Sequence, residues 1–221
     1  MPATVEAVIQ EARDVMRDFD TDFLPTPDEL VRVTNREERL VLVQVLEDAV
    51  SGFALPGDTP TSIEVSTHAE SYALPGDFWR LRSDTLRLVK TDGSVRRVFL
   101  TIPEARNTIP GREPSAFIQA ANLFLVDGVD TGDATNRMFG WQGVSTVDFT
   151  YVTEPAEKTD VAQELALPDE AVPVLIMRLA LWLATRGKLA ELTVQMIRDQ
   201  LGRREAEMRR AIQSFPGGRG R

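Results

Sequence analysis

Cysteine is absent from the 221 residues, which excludes a disulfide, a thiolate metal site and a cysteine nucleophile and is compatible with a reducing compartment. Histidine occurs once, at His68, with no second histidine or cysteine to complete a triad or a metal site, so a solvated strand residue is the simpler reading. No glycine-rich phosphate loop, nucleophile elbow or metal-ligand cluster can be read. Asp127, Asp130 and Asp133 are spaced faintly like a calcium loop, but the required glycine and distal glutamate are misplaced. No apolar run approaches the ~20 residues of a membrane span. The opening MPATVEAVIQEARDVM lacks the basic flank and apolar run of an export signal, so synthesis and use in the cytoplasm are expected. Cations are also scarce: 25 Lys and Arg stand against 34 Asp and Glu, a net charge of −9 that argues against general adhesion to nucleic acid.

What the chain does carry is apolar side chains, 43% of residues, enough for a real core in one elaborate domain or two small ones. They are densest in residues 144–186. That stretch reads as a strand alternating Val147, Phe149 and Tyr151 on one face, then a polar loop, then Leu167-Pro168-Asp169-Glu170 and a very apolar helix. Asp169 offers an N-cap carboxylate, Glu170 adds favourable charge to the first turn, and Pro173 is tolerable there. Val174, Leu175, Ile176, Met177, Leu179, Leu181, Trp182 and Leu183 are expected in the core, interrupted only by Arg178. The bundle is expected to close around this helix.

Upstream, Thr4 can cap a first helix to about Phe19, with Val5, Val8, Ile9, Ala12, Val15, Met16 and Phe19 on one stripe. Thr26-Pro27-Asp28-Glu29 reads as the cap and first turn of a long helix to about Gly52. Its second half places Leu42, Val45, Leu46, Ala49 and Phe53 on one side. Its first half, Thr34-Asn35-Arg36-Glu37-Glu38-Arg39, reads as a charged rod end. Residues 40–46 have strand propensity, yet no turn residue interrupts the helical pattern. Pro56-Gly57-Asp58-Thr59-Pro60 reads as an irregular linker before β alternation at Ile63, Val65 and Thr67. Thr91-Asp92-Gly93-Ser94 is a hairpin signal in which Asp92 and Gly93 both tolerate positive φ. A short helical turn at Pro103-Glu104-Ala105-Arg106 follows, then strands at 117–126 and 144–152 flanking a mobile loop at 127–136. Gly187 marks a C-cap, and Lys188 restarts a last helix to about Ile212. In it Leu189, Leu192, Met196 and Ile197 continue an apolar stripe that thins into Leu201, Met208 and Ile212, ringed by arginines. Residues 214–221 are expected to be a flexible basic tail. The fold class is α+β: two N-terminal helices (1–54) and two C-terminal helices (159–213) form a bundle, with an antiparallel β domain (55–158) inserted.

Three passages stand in order along this layout. The first is the paired N-terminal helices with Pro27-Asp28-Glu29-Leu30-Val31. The second is Ser71-Tyr72-Ala73-Leu74-Pro75-Gly76-Asp77-Phe78-Trp79-Arg80-Leu81. The third is Phe149-Thr150-Tyr151-Val152-Thr153-Glu154-Pro155, with Asp160, Leu167-Pro168-Asp169 and the apolar helix after it. Together they resemble the adaptor proteins of tailed bacteriophages, also called head–tail connector or head-completion proteins. The resemblance implies a structural virion protein without catalysis or cofactor, made in the host cytoplasm and placed at the head–tail interface. It implies a homo-oligomeric ring of about twelve copies beneath the portal vertex, holding a tail or neck protein and passing genomic DNA without binding it specifically. In such rings the C-terminal helix and tail reach the portal. The matching portal-binding positions are Arg203, Arg204, Arg209, Arg210, Ile212, Phe215, Arg219 and Arg221. The long 127–136 loop and the glycine-arginine ending depart from the family pattern.

Other readings of the same residues are weaker. The arginine-rich last helix would also suit a DNA-binding packaging or regulatory protein, but interleaved aromatics for base stacking are missing apart from Phe215. A lower neck or tail-tube component is a second alternative. Glu37-Glu38 and Glu205/Glu207 read as solvated faces or salt-bridge partners, because nothing apolar surrounds them to shift a pKa. Trp79 and Trp141 suit interface anchors but more simply core, and Trp182 reads as core.

Overall fold

Threonine caps set where the first two helices begin. In the computed structural model, which describes residues 3–16, 25–49, 53–65, 71–83, 85–100, 115–126 and 144–214, Thr4 accepts the Ala7 N–H and Thr26 the Glu29 N–H, each at 3.3 Å. They open α1 (Val5–Val15) and α2 (Pro27–Asp48), the latter with proline in its first turn as the sequence predicts. Both helices end earlier than expected, and Phe19 and Gly52 lie outside the described residues. Residues 40–46 are helical.

The chain divides into two compact units, one comprising Met1–Pro56 with Pro155–Arg221 and the other Gly57–Glu154. In the first, α3 (Val172–Arg186) packs against α1, α2 and α4 (Glu191–Gln213). Asp169 is not its cap. The Ala171 N–H closes a turn onto the Pro168 carbonyl at 2.9 Å, so Asp169 and Glu170 are spent in that turn, and the helix starts from Ala171 without a side-chain cap. Val174, Leu175, Ile176, Met177, Leu179 and Leu183 are buried as expected. Leu181 and Trp182 are only half-buried, Trp182 lying under the Arg186 guanidinium at 5.9 Å. The stripe on α4 also shifts: Val194, Ile197, Met208 and Ile212 are buried, whereas Leu192 and Met196 face solvent.

Between α3 and α4 the left-handed residue is Lys188, with φ at 52°, rather than Gly187, which sits at φ −71°. Lys188 and Leu189 donate back to Thr185 and Ala184 at 3.3 and 3.1 Å, so the helix end is closed but its glycine is one position early, and α4 starts at Glu191 instead of Lys188. Lys188→Gly is therefore expected to stabilise the protein by about 0.5–1 kcal/mol, read as a higher urea midpoint at unchanged slope.

The second unit holds two antiparallel sheets. Five strands are β1 (Asp58–Glu64), β3 (Phe78–Leu81), β4 (Thr85–Lys90), β5 (Val95–Phe99) and β8 (Val144–Thr153), in the order β1-β8-β4-β5, with β3 also on β8. Three are β2 (Ser71–Ala73), β6 (Ser115–Gln119) and β7 (Asn122–Val126), in the order β2-β7-β6. Pro60 lies within β1 rather than in a linker, which an edge strand tolerates because the missing N–H faces no partner. The stretch expected as one strand at 117–126 is a hairpin, turning at Ala120 and Ala121 with φ 48° and 60°. The Asp92-Gly93 hairpin forms, but only Gly93 takes positive φ. Asp92 instead accepts the Ser94 N–H at 2.8 Å, and hydrogen bonds from the Ser94 side chain and then its backbone hold its carboxyl below the ordinary aspartate range. Side chains from both sheets make one core, including Leu86, Leu88, Leu123 and the β8 face Val147, Phe149 and Tyr151. The helical turn expected at 103–106 and the 127–136 loop lie outside the described residues.

Candidate functional site

The stretch read as a charged rod end is the polar heart of the helical unit. Thr34, Asn35, Glu37 and Glu38 are all buried, Glu38 to 1% exposure. The reason is helical spacing: Glu38 falls on the same stripe as Val31, Leu42 and Val45, so α2 turns it inward. Its carboxylate receives the Lys158 ammonium at 2.6 and 2.8 Å and the Ala166 N–H. Asn35 pairs with the Lys158 peptide in both directions, donating at 2.8 Å and accepting at 2.9 Å. The segment leading to α3 is thereby fixed to α2. It also covers the start of α1, where the Val5 and Glu6 N–H groups donate to Gln163 and Val161 at 3.0 and 2.8 Å. These are donors a helix start would otherwise leave unmet.

Arg178, the one interruption of the apolar helix, has a similar role. Its guanidinium reaches Glu205 on α4 at 3.0 Å, and Glu37 and Gln44 on α2 at 3.6 and 3.5 Å. A cation within an apolar helical face was the signal that could have located this hub, and Glu38 at core spacing the signal for the other. Sequence reasoning set both aside.

The sequence-predicted binding residues separate on α4. Arg203 and Arg210 are exposed and in no ion pair among the described residues. Arg204, also exposed, pairs with Glu207 at 2.8 Å, one helical turn away. Arg209 is committed to Asp48 at the end of α2, its Nε lying 3.0 and 3.1 Å from the two carboxylate oxygens. Ile212 is not on this surface: it is fully buried and, with Met208, anchors the last turn of α4 to the bundle. Phe215, Arg219 and Arg221 lie outside the described residues, as do His68, Trp141 and Asp127, Asp130 and Asp133. The result is an arginine-rich helix flank with Met208 and Ile212 buried beneath it.

The second of the three sequence passages is structural. Leu74 is buried, the Phe78 N–H closes a turn onto Pro75 at 3.0 Å, and the Phe78 ring lies 5.6 Å from that of Tyr151. Tyr151 donates its hydroxyl to Asp77 at 2.8 Å, and this bond to a carboxylate pushes the phenol above its ordinary range, because a phenolate there would face a second negative charge. The passage fixes β3 against β8. Trp79, half-buried, carries Arg80 over its ring at 5.6 Å.

Among the described residues no helix is long and apolar enough to cross a membrane, and no group of acidic or histidine side chains is placed to hold a metal ion. The family model described as SU10 adaptor protein matches residues 3–219. No curated protein matches the chain.

Proposed function

We propose, because this chain belongs to the SU10 adaptor protein family, that its copies close into a ring joining the portal vertex of a phage capsid to the tail or neck. The protein is a structural head–tail adaptor of a phage virion. The ring is the further step, with about twelve copies, a central channel for the genome and no catalytic role. The exposed arginines of α4, Arg203, Arg204 and Arg210, with Phe215, Arg219 and Arg221 beyond them, are the surface proposed to meet the portal. Arg209 supports that surface through Asp48. The observation that carries this reading is the family match over nearly the whole chain. The basic flank on a chain of net charge −9 supports it, since a local excess of arginine suits an acidic partner groove while the overall balance repels DNA phosphate.

Electron microscopy of the purified chain mixed with its portal protein is expected to show rings seated on the portal. Arg203→Glu with Arg210→Glu, or deletion of residues 215–221, is expected to weaken attachment at least about tenfold with the thermal midpoint unchanged. Attachment equal to wild type would remove the α4 surface from the interface. A salt-dependent shift of duplex DNA would favour a DNA-binding role instead.

A further inference from the structure

A pair of oppositely signed surfaces also lies outside the α4 flank. On the β4–β5 ribbon, Arg87 and Arg97 stand directly opposite each other in register, on the face turned away from Leu86, Leu88 and Val98. Like charges in that position repel. Neither forms an ion pair among the described residues. The carboxylate beside them in the next strand, Asp148, is engaged by the Ser62 and Thr146 hydroxyls at 2.7 and 3.2 Å. At the hairpin end Val95, on the same face as Arg87 and Arg97, is 49% exposed, Lys90 and Arg96 lie on the opposite face with Arg96 in register with Leu88, and the acid of the turn, Asp92, is held by Ser94. A basic prong thus stands at the edge of the five-stranded sheet in a strongly acidic chain.

The chain itself supplies the complement. The segment from Pro155 to α3 carries exposed Glu157, Asp160, Glu164, Asp169 and Glu170, and its only cation, Lys158, is drawn inward onto Glu38. Glu157, Glu164, Asp169 and Glu170 form no ion pair among the described residues. Burial of that one lysine leaves an outer surface of a single sign, on a segment whose backbone is fixed by α1 and α2.

We propose that the Arg87/Arg97 prong of one copy docks on the acidic 157–170 segment of a second copy. The contact is heterologous, so it repeats from copy to copy and can close a ring. This deepens the adaptor reading and rests on it for the closure.

Self-association of the full chain, measured by sedimentation at low and high salt, tests the pairing. Arg87→Glu with Arg97→Glu, and separately Glu157→Lys with Glu164→Lys, are each expected to weaken association at least about tenfold while leaving the circular dichroism and thermal midpoint unchanged. Mixing the two variants is expected to restore association, because each reversed surface then meets its opposite on the other chain. Either variant assembling as wild type does, or a mixture that stays dissociated, overturns the pairing and leaves the adaptor reading standing. A wild-type chain that is monomeric at every concentration also overturns it, and the portal experiment alone then decides whether a ring forms.

Discussion

Lys158→Ala is expected to destabilise the helical unit by about 3–5 kcal/mol, a large share of a typical domain's stability. The mutation leaves the Glu38 carboxylate at 1% exposure with the Ala166 N–H and without its counter-charge. An uncompensated buried charge is the expensive outcome, whereas the intact pair need not be strongly stabilising, because desolvation opposes its attraction. Lys158→Met combined with Glu38→Leu is thus expected to be much milder than Lys158→Ala alone, although the Ala166 N–H then loses its acceptor at about 1–3 kcal/mol. Chemical denaturation of the three proteins checks this order. A Lys158→Ala protein as stable as wild type would mean that solvent reaches Glu38.

Leu179→Ala is expected to cost about 3 kcal/mol, within the 2–5 kcal/mol range for a buried leucine whose cavity cannot fully collapse. Leu179 is fully buried at the centre of α3, the helix that α1, α2 and α4 all contact. Trp182→Ala, though it removes more atoms, is expected to cost only about 1 kcal/mol, because Trp182 is not fully buried and part of its ring faces the Arg186 guanidinium at the surface. Urea midpoints of the two variants give the comparison directly. A larger loss at Trp182 would place the centre of the bundle one turn further along α3.

The contrast shows what the residue pattern could and could not reveal. Capping chemistry at Thr4 and Thr26, the inward alternation of Val147, Phe149 and Tyr151 and the apolar centre of α3 were legible, because each is local: a helix start or a strand face is decided by residues within a turn or two. The errors of burial share one cause. Asn35 and Glu38 were read as part of a charged rod end, when Lys158, more than a hundred residues away, satisfies both inside. Leu192 and Met196 were read as apolar and so as buried, although α3 covers the neighbouring flank of α4 through Val194 and Ile197. The hairpin at Ala120-Ala121 was invisible for a different reason: two alanines carry no turn signal, and strand pairing on either side imposes the left-handed backbone on them. At the binding surface, the arginines of α4 could be named from sequence, but not which of them were already engaged. Arg209 looks like Arg210 until Asp48 is seen beside it.

The distance along the chain between Glu38 and Lys158 also sets an order of events during translation. The two are 120 residues apart. At roughly 5–20 residues per second, a ribosome needs about 6–24 s to deliver the lysine after the glutamate. Throughout that interval α2 has no route to its mature packing, while the whole of the inserted β unit is made and can pair its own strands. The nascent protein is expected to complete its middle before its ends, and premature ribosome release anywhere short of Lys158 leaves an orphan helix carrying a carboxylate that water must accommodate.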